Sequence, residues 1–382
     1  MNIPRCKISY TETSHNSSDK GCGAFIGSFF CSGLGFIILL FAFLTLFSNE
    51  ARVDLSKIAV DAPTIDITKP ASPELQNKLI HAYGKITTDK PVGDNKFLKP
   101  GNFVALKRIT SMYAWDESKS TTSSGDRKRT TYSYSKRWTT KPKDSSSFRH
   151  SNEHKNPPKS IDNLFITPEK ATIGNFNIIN LKNIETLDLE PLKLTTENLI
   201  LSIPPEIFTS EFVFKGNGTP DNPVIGDIKI FYKVLKANNS YSVFGLLSQD
   251  NIMAYEVKKK NIKLFHIIEG NKNDALQALK EYYTKELWKG RLAGTAMMVI
   301  GSVLLLGPVF FFLNLIPVIG DELGCLLFIA LIIVSIVLSG GIIAIAMIAY
   351  NLVSFLLAFI GTLLLLALTI ILPAILIHKK NK

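Results

Sequence analysis

The sequence predicts a multi-pass α-helical membrane protein: four spans, with a large, mostly β (α+β) extramembrane domain between spans one and two. Three observations carry this. Charge is absent from Gly21 to Asn49, from Leu292 to Gly320 and from Leu323 to Ile377, runs of 29, 29 and 55 residues. A spanning helix needs about 20 apolar residues, so the first two runs hold one span each and the third has length for two. The polar stretch 50–290, about 240 residues, is long enough to fold in water around its own core. With positive mean hydropathy over 382 residues, these runs exclude a soluble enzyme, a secreted disulfide scaffold and a disordered chain.

The expected segments are a basic cytosolic tail over 1–20, the first span over 21–49, the β-rich domain over 50–290, a three-span bundle over 291–378 and a basic tail over 379–382. The first apolar run is too long for a signal-peptide core, so it reads as a retained anchor near Ala24–Phe47. In the domain, Phe103–Trp115 and Thr130–Thr139 are apolar and aromatic runs joined by the polar stretch Ser120–Gly125, a long β-hairpin. Val224–Leu235 alternates Ile228, Ile230, Tyr232 and Val234 with Lys229 and Lys233, the period of a half-buried strand. Tyr241–Leu247 and Ile262–Ile268 read as further strands. Asp274-Ala275-Leu276-Gln277 fits a capping box, and Leu276, Leu279, Tyr283 and Leu287 follow at helical spacing. This helix leads into the second span, Leu292–Leu315, with Trp288, Lys289 and Arg291 suited to the interface. The long apolar run divides most naturally at Tyr350-Asn351, giving spans near Cys325–Ala349 and Leu352–Ile377.

Four spans place both ends on one side. Each tail carries three Lys or Arg, so the positive-inside rule puts both in the cytosol or nucleoplasm and the domain across the membrane. The formal net charge is +11, and Lys107–Lys159 holds thirteen Lys or Arg against five Asp or Glu. Such a block attracts nucleic acid or anionic lipid, but from across the membrane it meets no nucleic acid and reads as a solvated basic surface. The domain contains none of the four cysteines, so no disulfide supports it.

His150-Ser151-Asn152-Glu153-His154 has the letters of an inverted zinc-protease motif, which needs both histidines on one face of a rigid helix. Its Ser, Lys and Arg surroundings and the following Asn156-Pro157-Pro158 exclude that helix, so no metal, cofactor or catalytic residue is expected. Gly23-x-x-x-Gly27 and Ser28-x-x-x-Ser32 line one stripe of the first span, and Gly290-x-x-x-Gly294 repeats the spacing in the second; small residues at this period let helices approach closely. No Asp, Glu, Lys, Arg or His falls within the four expected spans, which argues against a pump or transporter. Asn217 and Asn238 begin glycosylation sequons. Lys379 and Lys380 stand where a dilysine retrieval signal for the endoplasmic reticulum would, and also where positive-inside residues would.

Several strings, in order around one large loop, carry a resemblance. They are Asn49-Glu50-Ala51-Arg52; His81-Ala82-Tyr83-Gly84; Leu106-Lys107-Arg108 with Met112-Tyr113-Ala114-Trp115; and Thr131-Tyr132-Ser133-Tyr134 with Trp138. His154-Lys155-Asn156-Pro157, Gly226-Asp227-Ile228-Lys229, Pro317-Val318 with Asp321, and the Lys-Lys end complete the set. With them the chain resembles the LUMA (transmembrane protein 43) family over almost its whole length. The resemblance implies a lumenal or perinuclear domain, self-association into a homo-oligomer, contact with membrane lipids, and a non-enzymatic scaffolding role at the endoplasmic reticulum and inner nuclear membrane, with emerin and lamins as partners. It implies no cofactor and no catalytic residue. The competing expectation is a bacterial or organellar envelope-stress sensor in a bacterial inner membrane, whose periplasmic domain binds a ligand or lipid.

Overall fold

The computed structural model describes residues 8–15, 22–124, 127–186, 189–200, 203, 207–257, 262–313, 316 and 320–380. The chain divides into two units, one of 1–16 with 55–280 and one of 17–54 with 281–382.

The first unit is strand-rich, as its alternating pattern requires. One seven-stranded sheet runs β1 (Ile8–His15), β4 (Arg127–Thr139), β3 (Phe103–Ser124), β11 (Ile228–Lys236) and β10 (Val213–Lys215), with β5 (Leu164–Ile166) on β3 and β9 (Glu190–Pro191) on β11. A second runs β13 (Asn251–Met253), β7 (Phe176–Ile179), β6 (Lys170–Ile173), β2 (Leu79–Thr88), β12 (Ser240–Ser248), β16 (His266–Glu269) and β8 (Glu185–Thr186). A two-stranded ribbon pairs β14 (Tyr255–Val257) with β15 (Ile262–Leu264). The inward residues of β3 and β11, among them Leu106, Met112, Ile228, Ile230 and Val234, close one core with Leu98 and Leu199. Ile80, Ile86, Ile173, Phe176, Val243 and Phe265 make another. A third cluster packs Phe244, Leu264 and Ile268 on Ala275 and Leu279 of α3 (Lys272–Leu305) and on Ala59 of α2 (Leu55–Ala59).

Several boundaries differ from expectation. Ser120–Ser124 is strand rather than loop: β3 and β4 stay paired to Ser124↔Arg127, with Ser120 and Thr121 opposite Thr131 and Thr130, and Thr122–Ser124 opposite Arg129, Lys128 and Arg127, polar pairs that an extended ribbon with β-branched Thr tolerates. The strand predicted from Val224 starts at Ile228, because Gly226 takes φ +98° and Asp227 closes the preceding turn. Ile262–Ile268 is split between the ribbon and the second sheet. The capping box lies one turn early: Asn271 Oδ1 accepts from the Asn273 amide at 2.8 Å, and the Asn271 amide donates to Asp274 Oδ2 at 3.0 Å.

The four-span architecture is overturned. By length and composition among the described residues, two helices can cross a membrane: Gly27–Asn49 within α1 (Cys22–Asn49), and Glu322–Tyr350 within α5 (Gly320–Lys380). A third crossing exists only if α3 and α4 (Gly307–Leu313), bent by 51° at their junction, count as one. The bend has a cause: Pro308 has no N–H to give the Leu304 carbonyl, and in a straight helix its ring would clash with that carbonyl. No turn interrupts α5 at Tyr350-Asn351; the helix runs unbroken through both. Asn costs a helix less than about 0.7 kcal/mol relative to Ala, whereas each backbone group left unpaired in hydrocarbon costs several kcal/mol. Without Gly or Pro at that point, continuing is cheaper than turning.

β1 pairs antiparallel with β4 over Ile8↔Tyr134 to His15↔Arg127. A chain whose α1 crosses a bilayer once cannot keep this pairing, because tail and sheet would then face opposite compartments. Gly27–Asn49 holds thirteen Leu, Ile or Phe, which favour insertion by roughly 4–8 kcal/mol in total. The eight cross-strand pairs of β1 and β4, at about 0.2–1 kcal/mol each, come to roughly 2–8 kcal/mol, and Ser9, Thr11 and Thr13 are exposed. A bilayer and the edge of β4 therefore compete for the same stretch of chain on similar terms.

Candidate functional site

The chemistry-bearing side chains fall into four clusters, and each is a tie between elements. In the second unit, Glu50 just beyond α1 meets Arg291 of α3 in a two-pronged pair, Nε to Oε1 and Nη2 to Oε2, each 2.8 Å. Both are largely shielded, with 3% and 15% of their side chains exposed. The Arg291 guanidinium lies 5.2 Å from the Trp288 ring, and its Nη2 reaches Met347 Sδ of α5 at 3.7 Å. Asn49 Nδ2 donates to the Leu287 carbonyl at 2.9 Å. The planar fork of Arg suits this geometry where Lys would not.

Glycine sets the spacing beneath this pair. A Cβ at Gly290 would land on the Asn49 side chain, one at Gly294 would lie 2.6 Å from Leu46, and one at Gly301 2.8 Å from Leu39. Ser32 Oγ donates to the Leu305 carbonyl at 2.7 Å, and a Cβ at Gly307 would come 3.2 Å from the Ser28 carbonyl. Gly290, Gly294, Ser28 and Ser32 therefore pack within one chain. Gly27 faces open space; the surroundings of Gly23 lie outside the described residues. Gly35 and Gly301 were missed, although a Cβ at Gly35 would strike the Leu305 backbone. The seven-residue step from Gly294 to Gly301 was the available signal. Gly294→Leu is expected to cost about 1–3 kcal/mol by overpacking against Leu46, and Gly27→Leu nothing measurable; detergent unfolding midpoints of the two variants check this.

In the first sheet, Asp94 is buried and accepts on Oδ1 from the Lys96, Phe97 and Leu98 amides at 3.0, 2.9 and 2.8 Å. Its Oδ2 accepts from Arg108 Nη1 at 2.9 Å and from Tyr232 Oη. Burial alone would raise the Asp94 carboxyl; the hydrogen bonds from Tyr232, the Leu98 and Phe97 amides and Arg108 outweigh it and hold the pKa below the ordinary value. Burial, and then the bond to Asp94, drives the Tyr232 hydroxyl far above its ordinary range. The expected strand pattern placed Tyr232 inward, but nothing in the sequence pointed to Asp94, 138 residues away.

In the second sheet His81 is buried between Thr64 Oγ1, 3.0 Å from Nδ1, and Ser242 Oγ, 3.0 Å from Nε2. Ser242 Oγ donates to the Gly270 carbonyl at 2.9 Å, so Nε2 carries the proton and donates to Ser242. This resembles a nucleophile and base only in its letters, since Ser242 is wholly buried and its proton is committed. Burial, then the charge of Lys272, lowers the His81 pKa from 6.5 to about 4. Between those values the unfolded chain binds a proton that the folded chain does not, so folding stability falls as pH drops from about 6.5 toward 4. The loss is up to about 3 kcal/mol, and His81→Gln is expected to flatten that part of the pH profile of unfolding.

The fourth cluster gathers most of the remaining strings. Tyr134 stacks on His154 with ring centres 3.7 Å apart, Trp115 meets His154 edge-on at 4.5 Å, and Tyr113 lies 5.3 Å from Trp138. Tyr132 stands edge-on to His150 at 6.4 Å. Tyr134 Oη donates to Glu117; burial first and that bond second push its pKa up to about 12. Asn156 grips the Trp115 backbone from both sides, accepting from the amide at 2.7 Å and donating to the carbonyl at 2.9 Å. Pro157 sits where a Cβ on Gly226 would come within 2.9 Å, and Asp227 accepts from the Asn217, Gly218 and Val224 amides. Gly84 leaves room for Ile67. His150 and His154 lie in turns, not on a helix, and among the described residues no three His, Cys, Asp or Glu are placed to hold a metal. Arg52, Asn217 and Asn238 are exposed, the last at a left-handed turn. Lys379 and Lys380 end α5, with side chains outside the described residues, as is Pro317-Val318. One cavity of about 800 Å3 is walled by Phe97, Ile203, Ile207, Val213 and Phe214, with Lys96 and Lys215 also lining it.

The family model described as Transmembrane protein 43 matches residues 112–352, from β3 into α5. The chain belongs to the transmembrane protein 43 family. Transmembrane protein 43 of Rattus norvegicus is 23% identical over 310 residues, covering 75% of this chain and 76% of that relative. Those of Mus musculus and Homo sapiens are 22% identical over 313 residues with the same coverage. No solved structure matches. Within the family match lie the aromatic cluster, the Asp227 turn and Arg291, so the chain is a membrane protein whose characteristic strings build ties between elements.

Proposed function

We propose that the chain is a non-enzymatic, self-associating scaffold of the endoplasmic reticulum and inner nuclear membrane, helping to organise nuclear-envelope complexes, emerin and lamins among its partners. The observation that carries this is the use to which the polar groups are put: Asp94, His81, Asn156 and Asp227 each hold backbone or side chains of other elements together rather than opening onto a cleft. With α1 and α5 as the crossings, both basic tails share the cytosolic side and the strand-rich domain is lumenal or perinuclear. The face of α1 carrying Gly27, open where Gly290 and Gly294 are filled, supports contact between copies. The test is cross-linking in native membranes together with protease protection of tags at both ends and at residues 124–127. Protection of the loop tag alone, with dimer cross-links that Gly27→Leu abolishes, is the expected outcome. A loop tag digested alongside the amino-terminal tag sinks the topology, and cross-links indifferent to Gly27→Leu sink the packing.

A second reading, a ligand- or lipid-binding domain outside the cytosol, is favoured by the cavity around Phe97 and Phe214. A rise in unfolding midpoint with an added amphiphile would support it; a flat response across a lipid panel would count against it.

A further inference from the structure

The contact between β1 and β4 shows what the edge of this sheet can hold. Alternation along β1 puts Tyr10 and Glu12 on one face, while Ser9, Thr11 and Thr13 are exposed. The Tyr10 ring stacks on His150 with centres 4.2 Å apart and planes 26° from parallel, and stands edge-on to Tyr134 at 5.9 Å. Its hydroxyl donates to Glu153 at 2.5 Å. Glu12 meets Arg149 at 2.8 Å. The segment just beyond β4 thus offers a ring for an aromatic side chain and, beside it, a cation for a carboxylate two residues further along.

Once α1 crosses a bilayer, Ile8–His15 cannot occupy this edge, and β4 is left with a bare row of N–H and C=O groups. Sheet edges in folded proteins are covered, twisted away or charged; this one is flanked by a ready aromatic and basic surface. The occupant also leaves something unmet, because His150 Nε2 is buried without a hydrogen-bond partner. A segment that reaches that nitrogen with an acceptor would fit better than the chain's own tail.

We propose that the outer edge of β4, with Arg149 and His150, is a strand-docking site for an extended segment of a partner protein that carries an aromatic residue and, two positions later, a carboxylate. Backbone pairing to β4 supplies the affinity, and the ring and the cation supply the selection. The site gives a scaffold a defined kind of client, but the binding itself does not depend on the scaffold reading.

The probe is a fluorescent peptide with the sequence of Ile8–His15, added to the full-length protein in vesicles on the side of the domain and followed by anisotropy. Saturable binding is expected, weakened about tenfold or more when the peptide carries Tyr10→Ala or Glu12→Lys. Arg149 is more than half exposed, so Arg149→Glu should leave the unfolding midpoint unchanged, weaken the peptide similarly, and be rescued by a Glu12→Arg peptide. In detergent the chain's own strand competes, and Tyr10→Ala in the protein should then raise the affinity for the unaltered peptide. No saturable binding in either setting, or binding indifferent to these substitutions, overturns the proposal.

Discussion

Asp94→Ala is expected to lower the unfolding midpoint of the detergent-solubilised protein by about 6–20 °C, since removing one partner of a buried ion pair costs about 3–5 kcal/mol and each kcal/mol is worth roughly 2–4 °C at this size. The carboxylate serves three amides, a guanidinium and a phenol at once, so its loss strands Arg108, whose side chain is 7% exposed, and unties residues 94–98 from β3 and β11. Asp94→Asn should do less harm, because an amide oxygen can still accept from the backbone. The pair Asp94→Leu with Arg108→Met should cost less than the sum of the single changes, since it removes the unpaired charge. It should still cost something, because the three amides and the Tyr232 hydroxyl remain without their acceptor. Tryptophan fluorescence during thermal unfolding reads all of these variants, and an Asp94→Ala protein within 3 °C of the parent would show that the tie is not structural.

Glu50→Ala carries the second large effect. Arg291 loses both prongs of its partner at a place where little water reaches it, and a loss of about 3–5 kcal/mol is expected. Glu50→Gln, which keeps the shape and one acceptor, should lose less. The exchange Glu50→Arg with Arg291→Glu should recover part of the loss and not all of it, because the guanidinium then leaves the Trp288 ring and Met347. Unfolding midpoints of the single and exchanged variants form a double-mutant cycle. Equal destabilisation by the single changes and by the exchange would assign the effect to packing and not to the charge pair.

The site was legible in unequal measure, and the reason lies in sequence distance. Gly290 and Gly294 show themselves through a four-residue period, which one stretch of helix is enough to display. Gly35 opposite Leu305, and Asp94 opposite Tyr232, involve partners that only folding brings together, and no local period marks them. The strings of the family resemblance could be named but not explained. Their use appeared when Asn156 was found holding Trp115, Pro157 beside Gly226, and His154 stacked on Tyr134. The loop expected at Ser120–Gly125 failed for a related reason. Polarity marked it as solvent-facing, which Ser120–Thr122 are, but a Ser- and Thr-rich strand pairs as readily as it turns when its partner is in register; Gly125 lies outside the described residues.

By itself the sequence determined that this is a membrane protein with a strand-rich domain, because charge-free length and period-two alternation act residue by residue and need no partner to be read. The number of crossings and the continuity of α5 through Tyr350-Asn351 belonged to the tertiary structure. An apolar run states that a segment can lie in lipid. Where the chain turns is settled by whether breaking backbone hydrogen bonds can be offset, and that balance depends on what packs around the break.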